Sequence, residues 1–233
     1  MPDRGLLAVA DITAAELPAA PDSWKLTGAR WAQLTYEVNQ AAALSAMPGD
    51  VTRPIPCYAR LFVLEAADSP AGPLKLATLM TGGRYRMMPR NVLVDGIVDG
   101  PAERVARAFG SPYRAGTVSI ERDGQRLVAR IGDESGQLAE LVLPGLYAID
   151  PGMLRWDGWL GFGSANGQAQ LVEYGPRPDP SEAFLSKGAS LETNSALART
   201  HPWRKFRNIN TISACYVEGD LVLSAPEVQQ ALA

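Results

Sequence analysis

A phenol and a guanidinium stand side by side in "AFGSPYRAG", at the step Ser111-Pro112-Tyr113-Arg114. The step lies between a helix-like segment, "DGPAERVARAF", and a hairpin, "TVSIERDGQRLVARI". Neither side chain titrates near neutrality in water. A tyrosine can donate or accept a proton in a reaction if its surroundings tune it. An arginine beside it would lower the phenol's pKa and could hold an enolate oxygen. The ordinary alternative for Tyr113 is a buried filler hydrogen-bonded to backbone.

Other chemistry-bearing residues are few. "GGRYRMMPR" concentrates Arg84, Arg86 and Arg90. A solvated cationic loop is the plain reading, and one arginine gripping a carboxylate or enolate is the functional one, a task the planar fork suits. "GFGSANG" lacks the spacing and the following helix of a dinucleotide loop and reads as a hairpin loop. "RWDGW" and "HPWRKF" mix tryptophans with cations, which points to ring packing under arginine stems rather than nucleic-acid stacking. His201 is the single histidine, so neither a metal site of the His/Cys type nor a hydrolase triad has its parts. Four lysines (Lys25, Lys75, Lys187, Lys205) stand against 18 arginines.

The elements that must position these groups are short and mostly extended. In "RWAQLTYEV", Leu34, Tyr36 and Val38 alternate with Gln33, Thr35 and Glu37, the two-residue period of a half-buried strand. "NQAAALSAMPGD" predicts a short helix from Asn39, stopped by Pro48 and Gly49. "CYARLFVLEA", "PLKLATLM" and "NVLVDGIV" predict strands, and Pro101 opens a helix of about two turns as its first residue. Asp123-Gly124 predicts a tight hairpin turn. "QLAELVL", "QAQLVEY", "GASLET" and the pair around "NTISACYVEGDLVL" predict further strands. In "SAPEVQQAL", Ser224 and Glu227 fit a capping box over a closing helix. Long amphipathic helices between strands are missing, so the pattern predicts a mainly β architecture, closed or folded over itself.

The chain has 233 residues, is 46% hydrophobic and carries a net charge of −3. That length buries a sizeable core, and no linker divides it, so one domain over 1–233 is expected, with 1–23 as an N-terminal arm. The acidic balance offers no field for nucleic acid or anionic lipid. Cys57 and Cys215 lie in apolar strand-like runs, as buried free thiols in a reducing compartment do. No stretch approaches the roughly 20 apolar residues of a membrane span. The expectation is a soluble, cytoplasmic protein without metal or cofactor.

From Arg30 to Leu232 the order of segments resembles the acetoacetate decarboxylase family. "LTYEVNQAAALSAMP" matches the family's opening strand and short helix ending in proline. "NINTISACYVEGDLVLSAPEVQQAL" matches its closing strand, aspartate, strand and helix. The resemblance implies an α+β, mainly β fold: a closed β-barrel or curved antiparallel sheet with a few short helices, assembled as a homo-oligomer. It also implies a Pro-Lys-Lys step whose desolvated, neutral lysine attacks a ketone to form a Schiff base.

This sequence departs from that family at each catalytic point. Pro-Lys-Lys reads Pro112-Tyr113-Arg114, the family's "GRE" helix end reads Ala106-Arg107-Ala108, and the strand glutamate falls on Leu76. A family arginine near the N-terminus aligns with Arg30. Tyr113 and Arg114 are therefore the expected catalytic pair, with Arg30, Leu76, Arg86 and Arg107 as substrate-binding positions. A phenol forms no imine, so the expected activity is a Schiff-base-free step on a keto or polyketide-like substrate of carbonyl or enol character in secondary metabolism: cyclisation, dehydration, isomerisation or another carbon–carbon step. Two alternatives stand beside it. One is a non-catalytic ligand-binding or regulatory protein. The other is a decarboxylase or aldolase-like enzyme using Lys75, which requires that a bulge turn this neighbour of Leu76 inward.

Overall fold

The computed structural model describes residues 4–8, 11–12, 14–18, 21–110 and 113–232. After a two-residue strand, β1 (Ala15–Glu16), the chain enters β2 (Trp24–Glu37), the short helix α1 (Gln40–Ser45), then β3 (Tyr58–Asp68), β4 (Leu74–Tyr85) and β5 (Met88–Asp99). Helix α2 (Ala102–Phe109) leads to β6 (Tyr113–Ala115), and a meander follows: β7 (Thr117–Asp123), β8 (Arg126–Asp133) and β9 (Gly136–Leu143). The remainder is β10 (Leu146–Ile149), β11 (Gly158–Ala165), β12 (Gln168–Tyr174), β13 (Pro176–Ser186), β14 (Ser190–Thr193), helix α3 (Pro202–Lys205), β15 (Asn210–Leu223) and β16 (Glu227–Ala231).

Two sheets result. The large one has twelve strands in the order β10-β13-β15-β2-β3-β4-β5-β11-β12-β16, with β1 on β11 and β6 on β5. The small one runs β14-β9-β8-β7. Strands β2 to β5 are antiparallel neighbours, whereas β11 and β6 both join β5 in parallel. The closed barrel is not formed among the described residues: β10 and β16 are the two ends of the ladder. The three strands that follow β6 leave the large sheet and pair with each other instead.

The alternation of strand residues gives β2 to β5 two buried faces. On one, Leu34, Leu61, Val63, Leu79 and Ile97 pack with Ile120, Leu127, Ile131 and Leu141 of the small sheet. On the other, Trp31, Phe62, Leu64, Leu76, Met80 and Leu93 pack with Val105 and Phe109 of α2 and with Trp24, Trp159 and Tyr174. Both faces being apolar, the strands read as nearly continuous hydrophobic runs.

Several local expectations shift by a residue, and one changes type. Asn39 caps α1 through its side chain, which accepts from the Ala41 amide. Pro101 is the cap of α2 rather than its first helical residue. The β7–β8 turn is Gly124-Gln125, because Asp123 still pairs with Arg126. In "GFGSANG" only Asn166-Gly167 turn, both at positive φ as the twist of a two-residue hairpin requires. The closing helix is absent: 227–231 pair with β12 as β16, and the Ser224 hydroxyl accepts from the Gly175 amide instead of capping. Pairing with an available sheet edge outweighs the weak helical signal of five residues.

Gly116 marks the crossing from one sheet to the other. Its amide donates to Val98 O, and an added Cβ would lie 2.3 Å from Gly132 O and 2.6 Å from an Ile97 methyl. Gly116→Ala should lower stability by about 1–3 kcal/mol in urea unfolding, the usual cost of forcing atoms into a filled site. Gly188→Ala, with open space around its Cβ, should change it by under about 0.5 kcal/mol.

Candidate active site

The crossover from β5 through α2 to β6 presents Tyr113. Helix α2 ends at Gly110, whose φ is +83° and whose missing Cβ would sit 2.9 Å from Phe162 O, so the chain passes close over β11 only with glycine there. Ser111 and Pro112 lie outside the described residues. Strand β6 then pairs Tyr113 with Gly96 and Arg114 with Ile97. Consecutive residues face opposite ways, so the phenol enters the aromatic face and the guanidinium leaves it.

The Tyr113 hydroxyl is 3.1 Å from the Tyr174 hydroxyl and 3.4 Å from Thr78 Oγ1, forming a chain of three hydroxyls. Tyr113 as a whole keeps some exposure, but its hydroxyl end sits between Tyr174 and Thr78, 2% and 0% exposed. Around them, Phe109 lies 5.2 Å and Trp159 5.6 Å from the Tyr174 ring, and Phe62 packs edge-on against Trp159. Burial pushes the Tyr113 phenol above its ordinary value, although the hydrogen bonds from Thr78 and Tyr174 pull the other way. Tyr174 is raised well above the usual range by burial and then by Tyr113. At neutral pH both are protonated. They can donate a hydrogen bond to a carbonyl oxygen and stabilise negative charge developing there; neither is a base.

Arg114 occupies a different environment. Its Nε and Nη2 donate to the Asp95 carboxylate at 3.3 and 3.0 Å, and its Nη1 donates to Asp133. Asp95 also accepts from Trp203 Nε1 at 2.7 Å and from the Gly96 amide at 3.0 Å. Burial would raise the Asp133 carboxyl, but hydrogen bonds from Ser135 and Arg114 leave it below its ordinary value. Arg114 is thus neutralised by two carboxylates away from the phenol, and the expected lowering of the Tyr113 pKa by its neighbour does not occur.

The other expected positions separate. Leu76 lies on the aromatic face, two residues along β4 from Thr78. Arg30 turns to the opposite face, donating to Glu65 at 2.7 Å and to Ile120 O at 3.0 Å. Lys75 faces that side too, 3.7 Å from Glu65. Arg86 sits at the exposed tip of the β4–β5 hairpin and donates to Gln229. Arg107 is exposed and pairs with Glu103 one turn away on α2. Lys25 pairs with Asp220, Lys187 lies over the Tyr147 ring, and Lys205 is exposed on α3. No lysine is among the partners of Tyr113, Tyr174 or Thr78, and no cluster of metal-binding side chains occurs among the described residues. Thr78 was within reach of sequence reasoning, since it shares a strand face with Leu76. Tyr174 was not: nothing local to "QLVEY" ties it to residues sixty positions earlier.

No family model and no curated protein matches the sequence. Solved structures do match in shape. An acetoacetate decarboxylase of Legionella pneumophila superposes with a TM-score of 0.78 at 15% identity, covering 99% of this chain and 93% of that one. An acetoacetate decarboxylase-like enzyme of Sphingomonas wittichii gives 0.72 at 15%, covering 97% and 100%. The enduracididine biosynthesis enzyme MppR complexed with pyruvate gives 0.70 at 12%, covering 90% and 91%. The chain therefore shares the fold of these solved enzymes.

The buried phenols make a prediction about alkaline stability. Tyr113 and Tyr174 stay protonated in the folded chain above the pH at which free tyrosine ionises, about 10. The unfolded chain then binds fewer protons than the folded one, so stability falls as pH rises past that value. Thermal melts between pH 8 and 11 should show Tm dropping above about pH 10, and Tyr174→Phe should flatten the drop.

Proposed function

We propose that the chain is a small-molecule enzyme, a divergent acetoacetate decarboxylase-like protein that acts on a keto substrate without a Schiff base. The observation that carries this reading is the buried trio of Tyr113, Tyr174 and Thr78, standing where the resemblance expects an amine. A ketone seated against the aromatic face would take a hydrogen bond from Tyr113, and the bond would strengthen as the oxygen gains enolate character. Tyr174 and Thr78 orient that donor. Such a site serves cyclisation, dehydration, isomerisation or another carbon–carbon step in secondary metabolism, in which holding one reactive conformer supplies much of the rate.

The enzymes that share the fold support catalysis, and MppR's complex with pyruvate supports a small keto compound as substrate. We read residues 1–233 as one domain. The buried free thiols Cys57 and Cys215 suit a cytoplasmic location, and homo-oligomerisation follows the resemblance. Ligand binding without turnover is the second reading, favoured by the burial that keeps both phenols from acting as bases.

A panel of 3-oxo acids and methyl ketones, followed by NMR, should reveal a converted substrate. Tyr113→Phe should then cut kcat by about 10²–10⁴-fold with ligand affinity changed under about threefold. Unchanged turnover in Tyr113→Phe would remove the phenol from the mechanism. Borohydride treatment with a bound ketone should add no mass to the protein; a lysine adduct would replace this reading with imine chemistry.

A further inference from the structure

The aromatic face that carries Tyr113 also carries a buried cation. Arg60, on β3, has a side chain only 11% exposed. Its guanidinium is poorly engaged: Nη1 meets one oxygen of Asp157 at 3.3 Å and Nε meets Thr35 Oγ1 at 3.4 Å. A planar fork able to grip a carboxylate through two short parallel bonds is held by one long one. Asp157 is more exposed, and it ends an irregular segment, Leu154–Asp157, that joins the turn at Pro151–Met153 to β11. Trp156 of the same segment lies edge-on against Trp31, 5.8 Å between ring centres.

Two further polar groups on this face lack partners. Trp31 Nε1 is buried with nothing to donate to. Asn91 is 0% exposed, and neither its amide nitrogen nor its amide oxygen has a partner. Asn91 stands in register with Gly82, and the Tyr58 ring fills the space where a Gly82 Cβ would be. Tyr58 in turn lies within electrostatic reach of Arg60 and Asp157. Buried donors are normally satisfied, and leaving one without a partner is costly. A loosely paired arginine, an indole N–H and a whole carboxamide on one sheet face therefore call for a ligand with acceptor oxygens.

We propose that Arg60 is the anion-binding residue of this face, taking the carboxylate of a small keto acid in the place Asp157 now fills, with segment Leu154–Asp157 as the latch that opens. This deepens the keto-substrate reading above and rests on it. Asp157 acts as an internal competitor. An incoming carboxylate displaces it from Arg60, and the segment carrying Trp156 swings off Trp31.

The test uses pyruvate and its neutral ester, methyl pyruvate, titrated by calorimetry and by tryptophan fluorescence against the wild-type chain, Asp157→Asn and the double variant Arg60→Gln/Asp157→Asn. The double variant leaves no unpaired charge, and circular dichroism checks its fold. Asp157→Asn should bind pyruvate about fivefold or more tighter than wild type. The double variant should bind it about tenfold or more weaker than Asp157→Asn, the loss of a charged hydrogen bond. Methyl pyruvate should respond to neither change. Equal pyruvate affinity in Asp157→Asn and the double variant, with methyl pyruvate still bound by both, would overturn the role of Arg60 and leave the phenol site standing. Failure of every variant to bind either ligand would overturn both.

Discussion

Adjacent residues of an extended strand point to opposite sides, and at β6 this single constraint sorts the chemistry of the whole molecule. Pairing of Tyr113 with Gly96 and of Arg114 with Ile97 leaves no freedom in which face each side chain enters. The phenol goes to the aromatic face, where desolvation keeps it neutral. The guanidinium goes to the other side, where Asp95 and Asp133 absorb its charge. Had both faced inward, a cation would sit beside the phenol and favour its ionised form. The separation gives a site whose strength is donation to an oxygen.

The Arg114 side is a supporting structure for that site. Asp95 accepts from Arg114, Trp203 and its neighbouring amide at once, so one carboxylate ties β6, α3 and β5 together. A carboxylate with that many donors is settled in the folded state only while all of them are present, and removing one partner would leave a buried charge short of compensation. Strand β6 is three residues long and held mainly by its pairing with β5. The Asp95 junction fixes its register from the opposite face, and thereby fixes where the Tyr113 hydroxyl stands relative to Tyr174 and Thr78.

Much of the large sheet was legible because its strands are apolar runs bounded by turn residues; β2, β4, α1 and α2 follow from local pattern alone. The closing segment was not. Five residues, "EVQQA", satisfy a capping pattern and a strand equally well, and only the presence of the β12 edge decides between them. The site divides along the same line. Leu76 falls on the aromatic face because the facing of its strand can be counted, whereas Tyr113 joins it through a parallel pairing of β6 with β5 that no local signal announces. Arg30 lies inside β2 and Arg86 at a hairpin tip, and their partners Glu65 and Gln229 are far along the chain, where no spacing rule names them; Glu103 and Arg107 are an ordinary i,i+4 pair on an exposed helix face. Tyr174 reaches the site through a parallel joint, β5 to β11, that no hairpin signal announces.

In the proposed reading, a protonated phenol and a buried guanidinium on the same face meet the two ends of one ligand. A ketone oxygen needs a donor that holds its proton until charge develops, and a desolvated tyrosine is such a donor. A carboxylate needs a fixed cation, and an arginine stays charged where a lysine would surrender its proton to burial. Phe62, Trp159, Met80 and Leu93 belong to the same buried face and keep water from it. With 18 arginines and four lysines, none of the latter on this face, the chain uses cations that remain charged when buried and keeps its amines near solvent. That division suits the proposed activation of a carbonyl through hydrogen bonds better than attack on it by nitrogen, and under that proposal the span from phenol to guanidinium would select the substrate.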